Sequence, residues 1–479
     1  MIDARDEALA EEAGGLLRRL IACDTSNPPG NETHALALLE EYLVDAGLEC
    51  ERVYKDPDRA NLVATLYGVG HGPSLGFLGH VDVVPADRTR WSVDPFAGIE
   101  RDGVIWGRGA VDMKCQVAAT CVALASLARQ GFTPQGDLML LLMSDEEVGE
   151  EEVGTPYFVE ARPELCPDFI VGEGAGERYD TTVGPIYLLD HGVKSTASAT
   201  LTAPGRAGDA SLPGGGPNAL LELTRLLERL AAYEAPVRIP AEVEALIDTL
   251  APGDAPHVER LEQARATHPA FERLLRGLVR DVIHPTIAES PGPKNIIPEQ
   301  ATATLSCTVL PDTSAKDLER ELREALGEGD YDLEVVEPKG GSTSELDTPL
   351  HAAIADSLAE HDPDARLVPA LGYGFSDCHV FRESYGSVAY GFIPLSARRR
   401  DAEPGDQART RRTHPRSRPS LSNKGCESDC PADRRASPLP RHHGQRPSVQ
   451  DHSLTTLSFC SVGSLAPSTN PPASTNAWR

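Results

Sequence analysis

Apolar residues recur three and four apart over residues 5–20 and 33–48, with charged residues between them, and this spacing predicts two amphipathic helices. The period then changes. "RANLVATLYG" and "SLGFLGHVDVVP" are short runs rich in β-branched and aliphatic residues bounded by Gly and Pro, and they predict strands. "CQVAATCVALASLARQG" predicts a buried helix that stops at a glycine. "GDLMLLLMSDEEVGE" predicts a fully buried strand that runs into an acidic turn and a helix start, and "DFIVGEGAG" a short strand with a glycine-rich exit. Strands alternating with helices predict an α/β fold whose mostly parallel sheet is flanked by helices. In such sheets, sites form where polar residues follow the strand ends.

A second rhythm begins near Gly192. "KSTASATLTAPG" predicts a strand and "GPNALLELTRLLERLAAYE" an amphipathic helix. Residues 235–292 read as a Pro-rich, partly helical insertion. "NIIPEQATATLSCTVLP" predicts two strands or one bent strand, followed by the helix "SAKDLERELREALGEG" and the strand "YDLEVVEP". The order is β-α-β-β-α-β, the split βαβ plan of a small α+β unit. "PLHAAIADSLAEH" and "YGSVAYGFIPL" return to the first pattern. The expected division is a catalytic domain in two parts, 1–192 and 341–395, with a smaller domain, 193–340, inserted between them, and a disordered tail over 396–479.

Charge sharpens that last boundary. The chain carries a formal net charge of −28. Residues 397–479 hold 14 Lys and Arg against 7 Asp and Glu, a net of +7, which leaves 31 basic against 66 acidic groups, a net of −35, in the first 396 residues. So acidic a body argues against nucleic-acid and anionic-membrane partners and is compatible with divalent cations. The N-terminal stretch has no basic region followed by an apolar core, and the ten cysteines are mostly scattered singly, so a cytoplasmic protein with reduced thiols is expected.

Metal-type ligands stand at several predicted strand ends. In "GHVDVVP", His80 and Asp82 are two apart and face one side of a strand; imidazole ligates metals, and a neighbouring carboxylate can fix its tautomer. Asp112 in "WGRGAVDMK" precedes a helix expected near Met113, where an N-cap is the ordinary reading. Asp145, Glu146 and Glu147 follow the most apolar strand; acids favoured by a helix N-terminus are the ordinary reading there. Glu173 lies between glycines in "VGEGAG", where a loop carboxylate is the ordinary reading. One histidine and several carboxylates at strand exits of one sheet converge on one edge. Such a set suits two divalent cations, with one carboxylate shared and one left free as a base, and the adjacent Glu146 and Glu147 fit that division.

These motifs, with "GRAGDASLPGGGPNAL", "KNIIP" and "SDCHVFRESYGSVAYGF" in the same order, resemble the M20 metallopeptidases and amidohydrolases over residues 10–395. The resemblance implies a zinc-dependent catalytic domain with an inserted lid that also forms a homodimer, acting on small-molecule or peptide substrates. It implies His80 as a ligand of the first metal, Asp82 as its supporting acid and Asp112 as the bridge. It further implies Glu146 as general base, Glu147 and Glu173 as ligands of one metal each, and Asn295 and Asp377 as substrate contacts. Cobalt or manganese would suit the same nitrogen and oxygen ligands. The expected reaction is hydrolysis of an amide or peptide bond in an N-acyl amino acid or small peptide.

Three places depart from the family pattern. Asp209 in "AGDASLP" stands where the lid ordinarily places a histidine beside the developing oxyanion. Thr308 in "LSCTVLPD" stands where an arginine ordinarily meets a substrate carboxylate; Arg382 is the candidate substitute, with a solvated helix charge as its ordinary reading. The final His-Gly motif does not follow Pro394, and the abrupt switch to Arg/Pro/Ser-rich sequence suggests a reading-frame change, which the coding DNA across codons 390–400 would reveal. His379 in "SDCHVF" and the tail residues His414, His442, His443 and His452 are the remaining ligand candidates, each with an ordinary non-ligand reading. The departures leave a second expectation open, a degenerate homologue that binds ligand or metal without turnover.

Overall fold

The computed structural model describes residues 4–395 except 102, 150, 151 and 213. The expectations for the tail, including its four histidines, lie outside the described residues.

The chain opens with helices α1 (Ala4–Ala22) and α2 (Glu32–Asp45), then strands β1 (Glu49–Val53), β2 (Asn61–Leu66) and β3 (Leu75–His80). A short hairpin of β4 (Ile99–Arg101) and β5 (Val104–Trp106) leads into α3 (Lys114–Arg129), β6 (Leu138–Met143) and α4 (Thr155–Ala161). Strands β7 (Phe169–Thr181) and β8 (Gly184–Val193) form a long hairpin. The small unit follows with β9 (Ser195–Pro204), β10 (Gly208–Asp209) and α5 (Ala219–Ala232). Helices α6 (Ala241–Leu250), α7 (His257–Ala266) and α8 (Pro269–Leu278) intervene before β11 (Val282–Glu289), β12 (Ile296–Ile297), β13 (Gln300–Val309), α9 (Ala315–Leu326) and β14 (Asp332–Val335). The chain then returns through α10 (Pro349–His361), β15 (Arg366–Gly372), α11 (Cys378–Tyr385) and β16 (Val388–Leu395).

Eight strands make the large sheet in the order β1-β2-β6-β3-β7-β16-β8-β15. Its centre is parallel: β3 pairs in parallel with both β6 and β7, β7 with β16, and β8 with β15. The expected α/β architecture is therefore present. Strand β6, "LMLLLM", is buried along its whole length because both faces are covered. Leu138, Leu140 and Leu142 enter the core beneath α1, α2 and α3, while Met139, Leu141 and Met143 enter the core shared with α4 and α11.

The small sheet has the order β11-β13-β9-β14 with every pairing antiparallel, and α5 and α9 cover its apolar face. This is the β-α-β-β-α-β plan, but its second strand is β11, inside the stretch read from sequence as a Pro-rich helical insertion. Pro285 and a register shift between Pro285 and Ile287 mark β11, which lies at the sheet edge, where a proline is tolerated. Helices α6, α7 and α8 do not belong to the small sheet's core. They pack on the large sheet against Ile186, Leu188, Val368 and Ala370.

Candidate functional site

The parallel centre of the large sheet sets the site. His80 is the last residue of β3 and pairs in register with Met143, the last residue of β6, so the turn after β6 emerges beside it. That turn carries Glu146 and Glu147. Among the described residues no helix starts there: α4 begins at Thr155, and the acids lie in a turn. Glu173 is not in a loop. It lies within the long strand β7, where the pairing with β16 jumps from Gly391↔Gly172 to Phe392↔Ala175. The irregularity is a bulge, which re-aims a side chain at a strand rim. Gly174 makes the bulge possible: its φ is +149°, and an added Cβ would lie 2.8 Å from both Asp190 Oδ2 and Gly391 Cα. Asp112 precedes α3, but the N-cap position is Met113, and Asp112 turns its carboxylate to His80 instead.

His80 Nε2 is the focus. It lies 3.2 Å from Asp112 Oδ1, 3.6 Å from Glu173 Oε2 and 3.8 Å from Glu146 Oε2. The ligand atoms of His80, Asp112 and Glu173 all fall within 4.8 Å of one another. Behind the ring, Nδ1 faces Asp82 at 3.3 Å to Oδ1 and 3.1 Å to the backbone carbonyl. Burial favours a neutral imidazole, but Asp112, Asp82, Glu146 and Glu173 together outweigh it and raise the His80 pKa well above its ordinary value. Nε2 thus lies at a point surrounded by carboxylate oxygens. One imidazole nitrogen and two carboxylate oxygens grouped this closely are donors that a divalent cation takes, so the set fits one.

Four of the surrounding acids are shifted by burial and by their neighbours. Burial, then the charge of Glu173, pushes Glu146 well above the ordinary carboxylate value, against the pull of His80. Burial pushes Glu147 up to about 7, again against His80, while its Oε1 accepts the Val84 N–H at 3.3 Å. Asp82 runs the other way: burial opposes its ionisation, but His80, the Asn27 amide and the Glu147 N–H hold it below the ordinary value. Asp377 is buried at the start of α11, where its Oδ2 accepts the Thr155 hydroxyl at 2.6 Å. Burial pushes it up to about 7, and the Glu173 charge adds to that.

The sequence profile of peptidase family M20/M25/M40 matches residues 76–403. The chain belongs to this family. The succinyl-diaminopimelate desuccinylase of Parvibaculum lavamentivorans is 38% identical over 223 residues, 45% of this chain and 53% of that protein. The enzyme of the same name from Paracoccus denitrificans is 36% identical over 219 residues, 45% of this chain and 55% of that one. The chain thus spans about half the length of the curated relatives it matches. Among solved structures, the M20 metallo-carboxypeptidase Sso-CP2 of Sulfolobus solfataricus aligns with TM-score 0.60 and 18% identity, over 81% of this chain and 92% of that one. Human carnosine dipeptidase 1 aligns with TM-score 0.62 and 16% identity, over 82% and 91%. At such identities the likeness shows the M20 fold alone.

Within this M20 chain, not every residue singled out from sequence joins the His80 cluster. Glu147 lies beside it but is outside the trio that closes within 4.8 Å. Asp209 and Asn295 lie together in the small unit, where β10 pairs with β12 and the Ala210 N–H donates to Asn295 O at 3.0 Å. Both are exposed, and the Asp209 carboxylate accepts the Ser211 N–H at 2.9 Å and the Ser211 hydroxyl at 2.8 Å. These bonds hold its pKa below the usual value. Arg382 is not a solvated helix charge. It is buried, and its guanidinium donates to Ala389 O at 2.8 Å, Ser344 Oγ at 3.1 Å and Ser342 O at 3.3 Å, so it ties the 342–344 loop to β16. His379 turns Nδ1 to Ser376 O at 3.0 Å and packs its ring on Phe375.

Sequence reasoning passed over the layer behind Asp82. The Asn27 amide donates to Asp82 Oδ2 at 2.9 Å and to Asp145 Oδ1 at 2.8 Å. Arg59 contacts Asp145 at 3.3 Å and Glu32 at 2.5 Å, and all four of these side chains' residues are buried. The signals were an Asn before two prolines in "TSNPPG" and an Arg beside an apolar strand in "DRANLV".

Proposed function

We propose that the chain is a metal-dependent hydrolase that cleaves an amide or peptide bond in an N-acyl amino acid or small peptide. The observation that carries this reading is the convergence of Asp112, Glu146 and Glu173 on His80 Nε2, with Asp82 fixed behind the ring. His80, Asp112 and Glu173 would hold a first divalent ion, and Asp112 with Glu147 a second. Zinc, cobalt and manganese all suit these donors. When bound, such ions supply Lewis acidity toward a carbonyl and lower the pKa of water.

The chain's own residues do the rest. Asp82 accepts at His80 Nδ1 and so leaves Nε2 directed at the cluster. Glu146 takes a proton from the attacking water on its carboxylate and returns it to the leaving amine; burial and Glu173 raise this carboxyl above the ordinary value, which favours its holding the proton between the two transfers. Asp377, Asn295 and Asp209 would face the substrate, the last two from the small unit in the manner of a lid that also forms a homodimer. Among the described residues no helix is long and apolar enough to cross a membrane.

A second reading is a homologue that binds metal without turnover. It is favoured by Asp209, an exposed carboxylate where the resemblance expects a cationic partner for an oxyanion, and by residues 380–395, which contain no histidine. Assay of the purified full-length chain with zinc against N-succinyl and N-acetyl amino acids and dipeptides, reading released amine, decides between them. Turnover that disappears in Glu146→Gln supports the hydrolase. Zinc binding with no released amine from any substrate supports the second reading.

A further inference from the structure

Asp82 is more than the partner of one imidazole. It is fully enclosed, and its two oxygens receive four donors. Oδ1 faces His80 Nδ1 at 3.3 Å and the Glu146 N–H at 3.3 Å. Oδ2 accepts the Asn27 amide at 2.9 Å and the Glu147 N–H at 3.2 Å. The orientation of this carboxylate therefore sets both the His80 ring and the turn that carries Glu146 and Glu147. Three of the four donors belong to the cluster itself. Asn27 is the one that comes from outside it.

Asn27 is built to hold that position. The segment 25–27 is stitched to the extension of β3: Val83 N–H donates to Thr25 O at 3.1 Å, Asn27 N–H donates to Val83 O at 2.9 Å, and the Thr25 hydroxyl donates to Val81 O at 2.6 Å. Its side-chain nitrogen gives one proton to Asp82 and the other to Asp145, so a single neutral amide separates two buried carboxylates. Asp145 is in turn anchored by Arg59, which Glu32 holds from the far side. Without the amide, two buried carboxylates, Asp82 and Asp145, would face each other, and like charges repel more strongly in the interior than in water.

We propose that Asn27 is a positioning residue for the metal site: its amide fixes the Asp82 carboxylate, and through it the His80 ring and the Glu146–Glu147 turn. This rests on the metal-site reading given above. Loss of an outer partner of a metal-ligating histidine typically costs 10–100-fold in metal affinity.

The test uses the full-length chain and three variants, Asn27→Ser, Asn27→Leu and Arg59→Lys. Zinc affinity is measured by chelator competition, and the thermal midpoint on the metal-free protein. Asn27→Ser is expected to weaken zinc binding by about 10-fold, the lower end of that range, because Asn27 acts on His80 through Asp82. Arg59→Lys, which keeps the distant charge, is expected to lower the metal-free midpoint more but to hold zinc affinity within about three-fold, below that range. Asn27→Leu removes both donors and should lose at least as much affinity as Asn27→Ser, which carries the test alone if the leucine variant does not fold. Parental affinity in Asn27→Ser overturns the inference. So does a loss of affinity that simply follows the loss of stability across Asn27→Ser and Arg59→Lys. If the parent binds no zinc, it is the proposed function that fails. The inference is then read from a crystal structure of metal-free Asn27→Ser, where an Asp82 carboxylate unmoved against His80 and the turn overturns it.

Discussion

Glu146 separates a hydrolase from a mere metal binder at the scale of single residues. Its carboxylate faces His80 but lies outside the closed trio of ligand atoms, so removing its charge should spare metal binding. Glu146→Gln is expected to lower kcat by about 10²–10⁴-fold, the usual contribution of a positioned acid–base group, with unchanged zinc content. Asp190 offers a separate test on stability. Burial raises its pKa to about 7, and the Ala175 N–H and the Arg382 charge offset this only in part. A raised carboxyl pKa means that the folded chain binds the proton more tightly than the unfolded chain. The stabilisation is full below the ordinary carboxylate value and fades as pH rises toward 7. This carboxyl's contribution to stability, read from thermal midpoints, should thus fall between about pH 4 and pH 7, and Asp190→Asn should remove that pH dependence, which is on the order of 4 kcal/mol for a pKa moved from 3.8 to about 7. Residue identities were the most legible level of the sequence. His80, Glu146 and Glu173 meet because each ends, follows or interrupts a strand of the large sheet, and Asp112 joins them from the turn between the β4–β5 hairpin and α3. Asn27, Glu32 and Arg59 were hidden because their partners are 27–118 residues away and no periodicity marks a buried hydrogen bond.

Single elements were legible where one force dominates. β6 is uniformly apolar because both its faces are covered, and its burial follows directly. Leu140→Ala should cost about 2–5 kcal/mol in urea denaturation, the range for an emptied leucine site in a close-packed core. Elements that depend on pairing were less legible. β11 contains Pro285 and is mostly exposed, so it lacks the alternation that marks a strand. β8 was overlooked because its apolar run is closed by Asp190 and His191. β7 looked short because glycines around Glu173 imitate a loop, whereas they form a bulge inside a strand of 13 residues. Gly174→Ala tests the bulge. With φ at +149° and neighbours at 2.8 Å, an alanine should destabilise the fold by about 1–3 kcal/mol and displace Glu173. The check is a thermal midpoint alongside zinc affinity, both of which should fall.

On the scale of the whole molecule, the large and the small sheet have separate cores. The large sheet assembles the His80 cluster, and the small unit carries Asp209 and Asn295 on an exposed edge. The β-α-β-β-α-β order was readable, but its second strand is β11, inside the stretch read from sequence as an insertion. The seat of α6, α7 and α8 on the large sheet was not readable, since it depends on contacts with β8 and β15 far along the chain. A cation bound only by the folded cluster must stabilise the entire chain. Free zinc at a hundred times its dissociation constant should add about 2.7 kcal/mol, and EDTA should remove that increment and lower the thermal midpoint.

The most direct measurement is elemental analysis of the purified full-length chain and of His80→Ala after exhaustive buffer exchange. The account predicts at least one zinc-like ion per chain in the parent and its loss when His80 is removed. An ion-free parent, or equal metal in both proteins, would contradict it.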